Sequence, residues 1–381
     1  MPRLIKSPYY LRKRMRPDQI QIDQYQPQLA EKISRLNELM ASLALPDAEI
    51  FESEASHYRM RAEFRIWHDG DDMYYAMFDS NDPRTPIRVD QFPVASLMIN
   101  ELMPALLEAV KTVPILRHKL FQVDFLTTQT GEALISMLYH KPIDDEWYAA
   151  AQELNESFPH CHFIGRSRKK KMILTRDFVM ETLTVDGKKY HYQQVENSFT
   201  QPNAGINESM LSWALDVTQG ESGDLLEMYC GNGNFSIPLA RRFDRVVATE
   251  ISKVSVNSAQ LNIAINGMSN VQVVKMASED VSAALNGQTE LPKQLVQAGM
   301  ESLEPSVVLV DPPRAGLDAD TVELIRKVDK ILYISCNPET LKANLEALSD
   351  THKVERYAVF DQFPYTHHIE TGVYLVRKPS A

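Results

Sequence analysis

Hydrophobic positions along the chain follow two rhythms that change near residue 190. In the first stretch, RMRAEFRIW (59–67) alternates basic or polar with apolar residues, as a half-exposed strand does. FQVDFLTT (121–128) and ALISMLYH (133–140) read as two more strands joined at a TGE turn. SLMINELMPALLEAV (96–110) and DDEWYAAAQELNESF (144–158) carry the spacing of amphipathic helices. After residue 190 the rhythm differs. Short β-rich apolar runs (DLLEMYC, RVVATEI, VQVVKM, VVLVDP, ILYISC) alternate with helical stretches, and KVERYAVF and TGVYLVRK close the chain as strands with a loop between them. That alternation predicts βαβ units and a mostly parallel, doubly wound, Rossmann-like sheet with helices on both faces. The expected architecture is an N-terminal α+β domain over 1–190, its first twenty residues a flexible tail, and a C-terminal α/β domain over 191–381. Ligands of such sheets bind at the carboxyl ends of the strands.

Composition narrows the function classes. A chain of 381 residues with 44% apolar and 24% charged residues is an ordinary globular protein. No apolar run is long enough to span a bilayer, and the charged N-terminus lacks the apolar core of a secretory signal. A cytoplasmic location without a membrane partner is expected, and no obligate protein partner is evident. The three cysteines, Cys161, Cys230 and Cys336, form no CxxC pair, which argues against a cysteine-built zinc site or iron–sulfur cluster. The net charge of −11 argues against a protein that grips nucleic acid by charge alone. Positive charge is local: GRSRKKK (165–171), Arg59, Arg61 and Arg65 on one strand face, and RKRMR (12–16). Each is equally readable as a solvated face.

Four segments carry chemistry. In LLEMYCGNGNFSIPLA (225–240) a strand holding Glu227 turns through Gly231 and Gly233 into a helix, so backbone amides can approach a ligand. Ser236 stands where a dinucleotide fingerprint has its third glycine. ExxxGxG with an acidic residue, Glu250, at the end of the next strand suits S-adenosylmethionine, whose ribose hydroxyls a carboxylate can accept. In VVLVDPPRAGLD (307–318), Asp311 ends a strand before two prolines that restrict the turn. Arg314 stands where amine methylases place an aromatic, which speaks against amine methylation. In ILYISCNPETL (331–341), Cys336 ends a strand beside the expected crevice. A lone cysteine there is usually a small buried hydrophobe, but in a methyl-donor crevice it is a candidate nucleophile. The loop of FDQFPYTHHIETGVYL (360–375) offers His367, His368 and Glu370 as acid/base groups. The paired histidines lack a third ligand at metal-binding spacing, so no metal is expected.

These residues fit one reaction. Carbon 5 of a pyrimidine is a poor nucleophile until a thiolate adds to carbon 6. The activated ring then takes a methyl group, loses the carbon 5 proton to a base, and expels the thiolate. Cys336 and Glu370 fill the two roles. The residues alone leave uracil and cytosine open.

Taken together, QVENSFTQPN, LLEMYCGNGNFS, VDPPRAGLD, YISCNPETL and DQFPYTHHIE resemble the bacterial tRNA (uracil-5-)-methyltransferases. SHYRMRAEFRIWHDGDDMYY (56–75) and LRHKLFQVDFLTT (116–128) extend the likeness, which runs from about residue 24 to the end. The resemblance implies a class I S-adenosylmethionine-dependent methyltransferase domain behind an RNA-recognition domain. It implies methylation of carbon 5 of the T-loop uridine in tRNA, and action on transfer-messenger RNA. By position it implies Cys336 as nucleophile and Glu370 as proton acceptor. Gln201, Tyr229, Asn234, Glu250 and Asp311 would contact the methyl donor, and Arg65 and Phe121 the RNA. Relatives acting on ribosomal RNA carry an added barrel and four cluster cysteines, absent here, which favours tRNA. A uridine-5 methyltransferase of ribosomal or other RNA, and a tRNA-folding or RNA-binding protein with a methyltransferase shell, are the alternatives. The first fourteen residues extend beyond the family's usual start, which marks Met15 as a candidate initiator.

Overall fold

The computed structural model describes residues 18–79 and 82–379. The RKRMR run, Met15 and most of the expected tail lie outside the described residues. The described chain opens with helix α1 (Tyr25–Met40) and a three-residue strand β1 (Glu49–Phe51). A seven-stranded sheet follows, built from β2 (Arg61–Asp69), β3 (Asp72–Asp79), β4 (Asp82–Arg88), β5 (Leu120–Thr127), β6 (Ala133–Tyr139), β7 (Cys161–Ser167) and β8 (Lys170–Ile173) in the order β4-β3-β2-β5-β6-β7-β8. All its pairings are antiparallel except β6 with β7. The expected strand at 59–67 begins at Arg61, because Arg59 instead bridges to Ala95 and Asn203.

Helices α2 (Leu97–Lys111), α3 (Pro114–Arg117) and α4 (Asp145–Glu156) contribute to the apolar core of this sheet. Ser96 caps α2 by accepting from Ile99 N, and Asp144 caps α4 by accepting from Trp147 N. Strand β2 alternates in burial: Ala62, Phe64 and Ile66 enter the core, leaving Glu63, Arg65 and Trp67 on the open face. Around β2 the sheet is closed on one side and carries a polar and aromatic surface on the other, while β6 is buried on both faces, Leu134 packing with Leu126, Ile164 and Val179.

A ribbon of β9 (Phe178–Val185) and β10 (Lys188–Val195) turns at Asp186–Gly187, both at positive φ, the geometry of a tight hairpin. It packs on α5 (Ala204–Val217) and α7 (Lys253–Ile265). The remaining strands are β11 (Asp224–Met228), β12 (Arg245–Glu250), β13 (Val271–Lys275), β14 (Pro305–Val310), β15 (Lys330–Ser335), β16 (His352–Phe360) and β17 (Glu370–Arg377). With β1 they form an eight-stranded sheet in the order β1-β16-β17-β15-β14-β11-β12-β13. Strands β11 to β15 are mutually parallel and β17 runs against them. The connecting helices are α6 (Ser236–Leu239), α8 (Ser278–Leu285), α9 (Lys293–Gln297), α10 (Ala319–Ile325) and α11 (Pro338–Leu348). Two apolar cores flank the sheet, so its central strands are uniformly apolar rather than alternating. Strand order reverses between β11 and β14, the switch point at whose carboxyl ends sheets of this kind bind ligands.

The two rhythms of the sequence correspond to the two sheets, with one difference. The expected seam at 190 falls within β10, and α1 and β1 join the larger sheet. Strand β1 pairs with Ala358–Phe360 of β16, and Arg356 fastens it by a two-pronged ion pair to Glu49 at 2.6 and 2.7 Å. A three-residue strand is too short to show a period. The seven-stranded sheet is therefore inserted between the first and second strands of the larger one.

Packing in the core of the seven-stranded sheet is tight at Gly165 of β7, where an added Cβ would overlap the indole of fully buried Trp147. Gly165→Ala is expected to cost roughly 1–3 kcal/mol, as overpacking does. A thermal melt equal to that of the unsubstituted protein would refute the packing claim.

Candidate active site

Strand register joins the two residues assigned to catalysis. Strands β15 and β17 are antiparallel with Ser335 opposite Thr371, and Thr371 Oγ1 donates to Ser335 O at 3.1 Å. Cys336 and Glu370 flank that pair, one position beyond it, and directly opposed residues of antiparallel strands point to the same face. A separation of 34 residues in sequence becomes adjacency. Glu370 is 5% exposed, and its carboxyl is pushed well above the usual range by burial, then by Asp311, with Arg314 opposing. Cys336 is half-buried, the most open of the three cysteines. Burial, then Glu370 and Asp311, push its thiol up to about 11. Asp311, one residue past β14, is held up to about 7 by burial. Three acids share one water-poor crevice, and Arg314 is the cation beside them.

The turn after β11 forms the next wall. Tyr229 has a left-handed backbone at φ 65°, and Gly231 follows at φ 56° with open space where a side chain would be. Glu250 ends β12. One of its oxygens accepts from Gly231 N at 3.1 Å and the other from Ser252 N at 2.7 Å, which fixes the carboxylate over the turn. Ile251 beside it is 66% exposed, an uncovered apolar surface against the same turn. Glu227 faces inward: it is fully buried, accepts from the Ser236 hydroxyl, and leaves its other oxygen without a partner. Burial raises it to about 8. Its part is to tie the strand to the turn.

Two further assigned residues are engaged by amide pairs. Asn234 and Asn207 exchange side-chain hydrogen bonds at 2.8 and 2.9 Å. Gln201 accepts from Gln362 Nε2 at 2.7 Å, which orients its own amide nitrogen. Tyr229 and Asn234 thus follow β11, Glu250 ends β12, Asp311 follows β14 and Cys336 follows β15, while Glu370 opens β17 and Gln201 is joined to Gln362 just past β16.

Beside Cys336 is a cavity of about 440 Å³, walled by Arg35, Arg314, Glu339, His367 and His368 among others. Its charged lining is mostly cationic, which suits a polyanion. The His367 and His368 rings lie 4.0 Å apart. Burial, then His367, Arg314 and Lys32, lower His368 to about 4, so it is neutral at neutral pH. No group of three or more metal-ligating side chains is present among the described residues. No helix among them is long and apolar enough to cross a membrane.

Arg65 and Phe121 meet on the open face of the smaller sheet. The Arg65 guanidinium lies 3.9 Å from the Phe121 ring centroid, and Phe121 stacks on His140 at 3.8 Å. The β5–β6 register slips between Leu120 and Gln122, and the irregularity turns Phe121 outward. His140, at the end of an apolar strand, gave no pattern signal. The GRSRKKK run is partly structural: Arg166 grips Glu196 at 2.5 and 2.6 Å, and Lys171 pairs with Asp177 and Glu196. Arg168, Lys169 and Lys170 are exposed.

Alkylation of Cys336 in the free protein is expected to rise about tenfold per pH unit from 8 to 10, as thiolate fraction does below its pKa. A plateau near pH 9 would contradict the raised thiol. Cys336→Ala gives the background from Cys161 and Cys230.

The sequence model of the tRNA (Uracil-5-)-methyltransferase family matches residues 24–378. A tRNA/tmRNA (uracil-C(5))-methyltransferase of Marinomonas sp. (strain MWYL1) is 80% identical over 366 residues, covering 96% of this chain and 100% of the relative. The protein of that name from Escherichia coli O1:K1 / APEC is 54% identical over 368 residues, with the same coverage of both. Among solved structures, the Pyrococcus abyssi tRNA (uracil-54, C5)-methyltransferase in complex with S-adenosyl-L-homocysteine superimposes with a TM-score of 0.72 at 22% identity, over 98% of this chain and 88% of that one. That likeness speaks to the fold.

Proposed function

Since this chain belongs to the tRNA (uracil-5-)-methyltransferase family, we propose that it methylates carbon 5 of the T-loop uridine of tRNA, and of transfer-messenger RNA, with S-adenosylmethionine as donor. The observation that carries the reading is the β15–β17 register, which ends at Ser335 opposite Thr371 and leaves Cys336 and Glu370 one position beyond it. Methylation of an amine or hydroxyl has no use for such a pair. The donor supplies a methyl group on a positively charged sulfur, and a cation in this crevice favours the ionised forms of its acids. The walls fit such a molecule: Glu250, held by two backbone amides, for ribose hydroxyls; Gly231, open above its Cα; Ile251, an apolar surface. Gln201, Tyr229, Asn234 and Asp311 complete the binding set.

In this mechanism Cys336 loses its proton to solvent as donor and substrate bind, and Sγ, as thiolate, bonds to carbon 6 of the uracil. The 5,6 double-bond electrons move toward carbon 5 and the carbon 4 carbonyl. Carbon 5 takes the methyl group from the donor's sulfonium sulfur, whose bond to it breaks and leaves a neutral thioether. Glu370, as carboxylate, removes the carbon 5 proton, the 5,6 double bond re-forms, and the carbon–sulfur bond breaks to release the Cys336 thiolate. Burial and low dielectric keep water from the adduct. We assign the unit spanning β2 to β8 to RNA recognition, with Arg65, Phe121 and His140 as a platform for an unstacked base. The cationic cavity beside Cys336 accommodates the backbone of the opened loop.

With tRNA tritiated at carbon 5 of uridine, donor-dependent release of tritium to water is expected. Cys336→Ala should abolish it and leave donor binding intact; turnover near wild type removes Cys336 as nucleophile. Glu370→Gln should accumulate a covalent protein–RNA complex on a denaturing gel, and its absence removes Glu370 as base. Release from ribosomal RNA but not tRNA would move the substrate. Phe121→Ala should weaken tRNA binding by roughly 1–3 kcal/mol, the range for a base–aromatic stack, with donor affinity unchanged. Equal tRNA affinity would take Phe121 out of the platform.

A further inference from the structure

The buried face of α1 reads Tyr25, Leu29, Lys32, Leu36 and Met40, a charge in the middle of an otherwise mostly apolar stripe. Lys32 Nζ lies 2.6 Å from Asp361 Oδ1, with the two side chains 5% and 0% exposed. It also donates to Phe363 O at 2.8 Å. One turn earlier, Gln28 donates to Asp361 Oδ2 at 3.4 Å and accepts from Tyr365 N at 3.1 Å. Tyr365 has a left-handed backbone, φ 62°, and its hydroxyl donates to Ala55 O at 2.7 Å. Tyr58 OH donates to Pro364 O at 3.1 Å. The loop from Asp361 to Tyr365 is therefore held from α1 and from the segment that leads into the RNA-binding sheet.

A buried ion pair is a poor stabiliser compared with apolar residues of the same size, so stability alone does not account for this one. Its position does. Asp361 follows Phe360, the last residue of β16, and Phe360 pairs with Glu370 in the β16–β17 register. The pair fixes the loop where it leaves the sheet, beside the carboxyl that must meet the carbon 5 proton. Lys32 also lines the cavity that contains Cys336, His367 and His368.

We propose that Lys32 is a positioning residue for proton abstraction: through Asp361 and the Phe363 carbonyl it holds the loop that sets Glu370 against carbon 5. This rests on the reading above that Glu370 is the base. The step affected is the last one. The carbon–sulfur and carbon–methyl bonds form as before, but loss of the carbon 5 proton and expulsion of Cys336 are delayed.

The test is single-turnover methylation of a T-arm RNA with labelled donor, following methyl incorporation, tritium release from carbon 5, and covalent complex on a denaturing gel. Lys32→Met strands the Asp361 carboxylate and is expected to lower the melting temperature. Lys32→Met/Asp361→Asn removes both charges and is expected to recover much of it. In the double variant methyl incorporation should stay near wild type, while tritium release slows by about 10–100-fold and covalent complex accumulates, as a misplaced catalytic group would cause. Gln28→Ala, which keeps the ion pair and does not endanger the fold, should shift the same partition in the same direction by less. A purely structural role predicts otherwise: the melting temperature moves, while the ratio of trapped complex to released tritium does not. Wild-type partition in both the double variant and Gln28→Ala overturns the proposal. Glu370→Gln is the control. If it traps complex and the Lys32 variants do not, the inference fails and the proposed function stands; if it traps none, the base assignment falls and takes the inference with it.

Discussion

The site depends on one backbone relation, the antiparallel pairing of β15 with β17. Parallel strands alone would bring several strand ends to the crevice but all from the same direction. Reversing the last strand brings a residue at its beginning, Glu370, beside a residue just past the end of β15, Cys336. A slip of one residue would send one of the two side chains to the opposite face. The apolar runs of both strands are buried on both faces, and Thr371 adds a side-chain hydrogen bond to Ser335 O. Register here is specified by the core, and chemistry follows from it.

Burial then sets the protonation states. In the free protein, Cys336, Glu370 and Asp311 are all displaced toward their neutral forms by the same cause, loss of water. An enzyme that kept a thiolate permanently exposed would be open to oxidation and stray alkylation. A thiol held neutral in the free protein, as Cys336 is, avoids that. Arg314 opposes the shifts of Cys336 and Glu370 without cancelling them.

Much of this was legible in the chain. The change from period-two alternation to apolar runs separated the two sheets, because a sheet covered on one face alternates and one covered on both does not. Helical spacing over 96–110 and 144–158 located α2 and α4. Strand-end positions exposed Glu250, Asp311 and Cys336, since parallel sheets gather ligand groups at their carboxyl ends. Other parts had no local signature. A three-residue β1 has no measurable period, so its place beside β16 was invisible. Gln201 rested on family likeness alone, and its partner Gln362 emerges only in three dimensions. Lys32 carries no local signal, because its partner is 329 residues away. His140 ended an apolar strand and matched no motif, yet it completes the stack under Arg65.

The first strand of the larger sheet pairs with nearly the last, and this has a consequence for how the chain is made. During synthesis the N-terminal end leaves the ribosome first, and domains tend to fold as they emerge. The seven-stranded sheet has all its strands in hand by Ile173. Glu49–Phe51 and α1 emerge earlier still, but their partners in β16 and the Asp361 loop are translated far later, Asp361 lying 329 residues after Lys32. The opening segment must wait until those partners arrive. Assembly of the crevice is thereby coupled to synthesis of β16 and the loop that follows it.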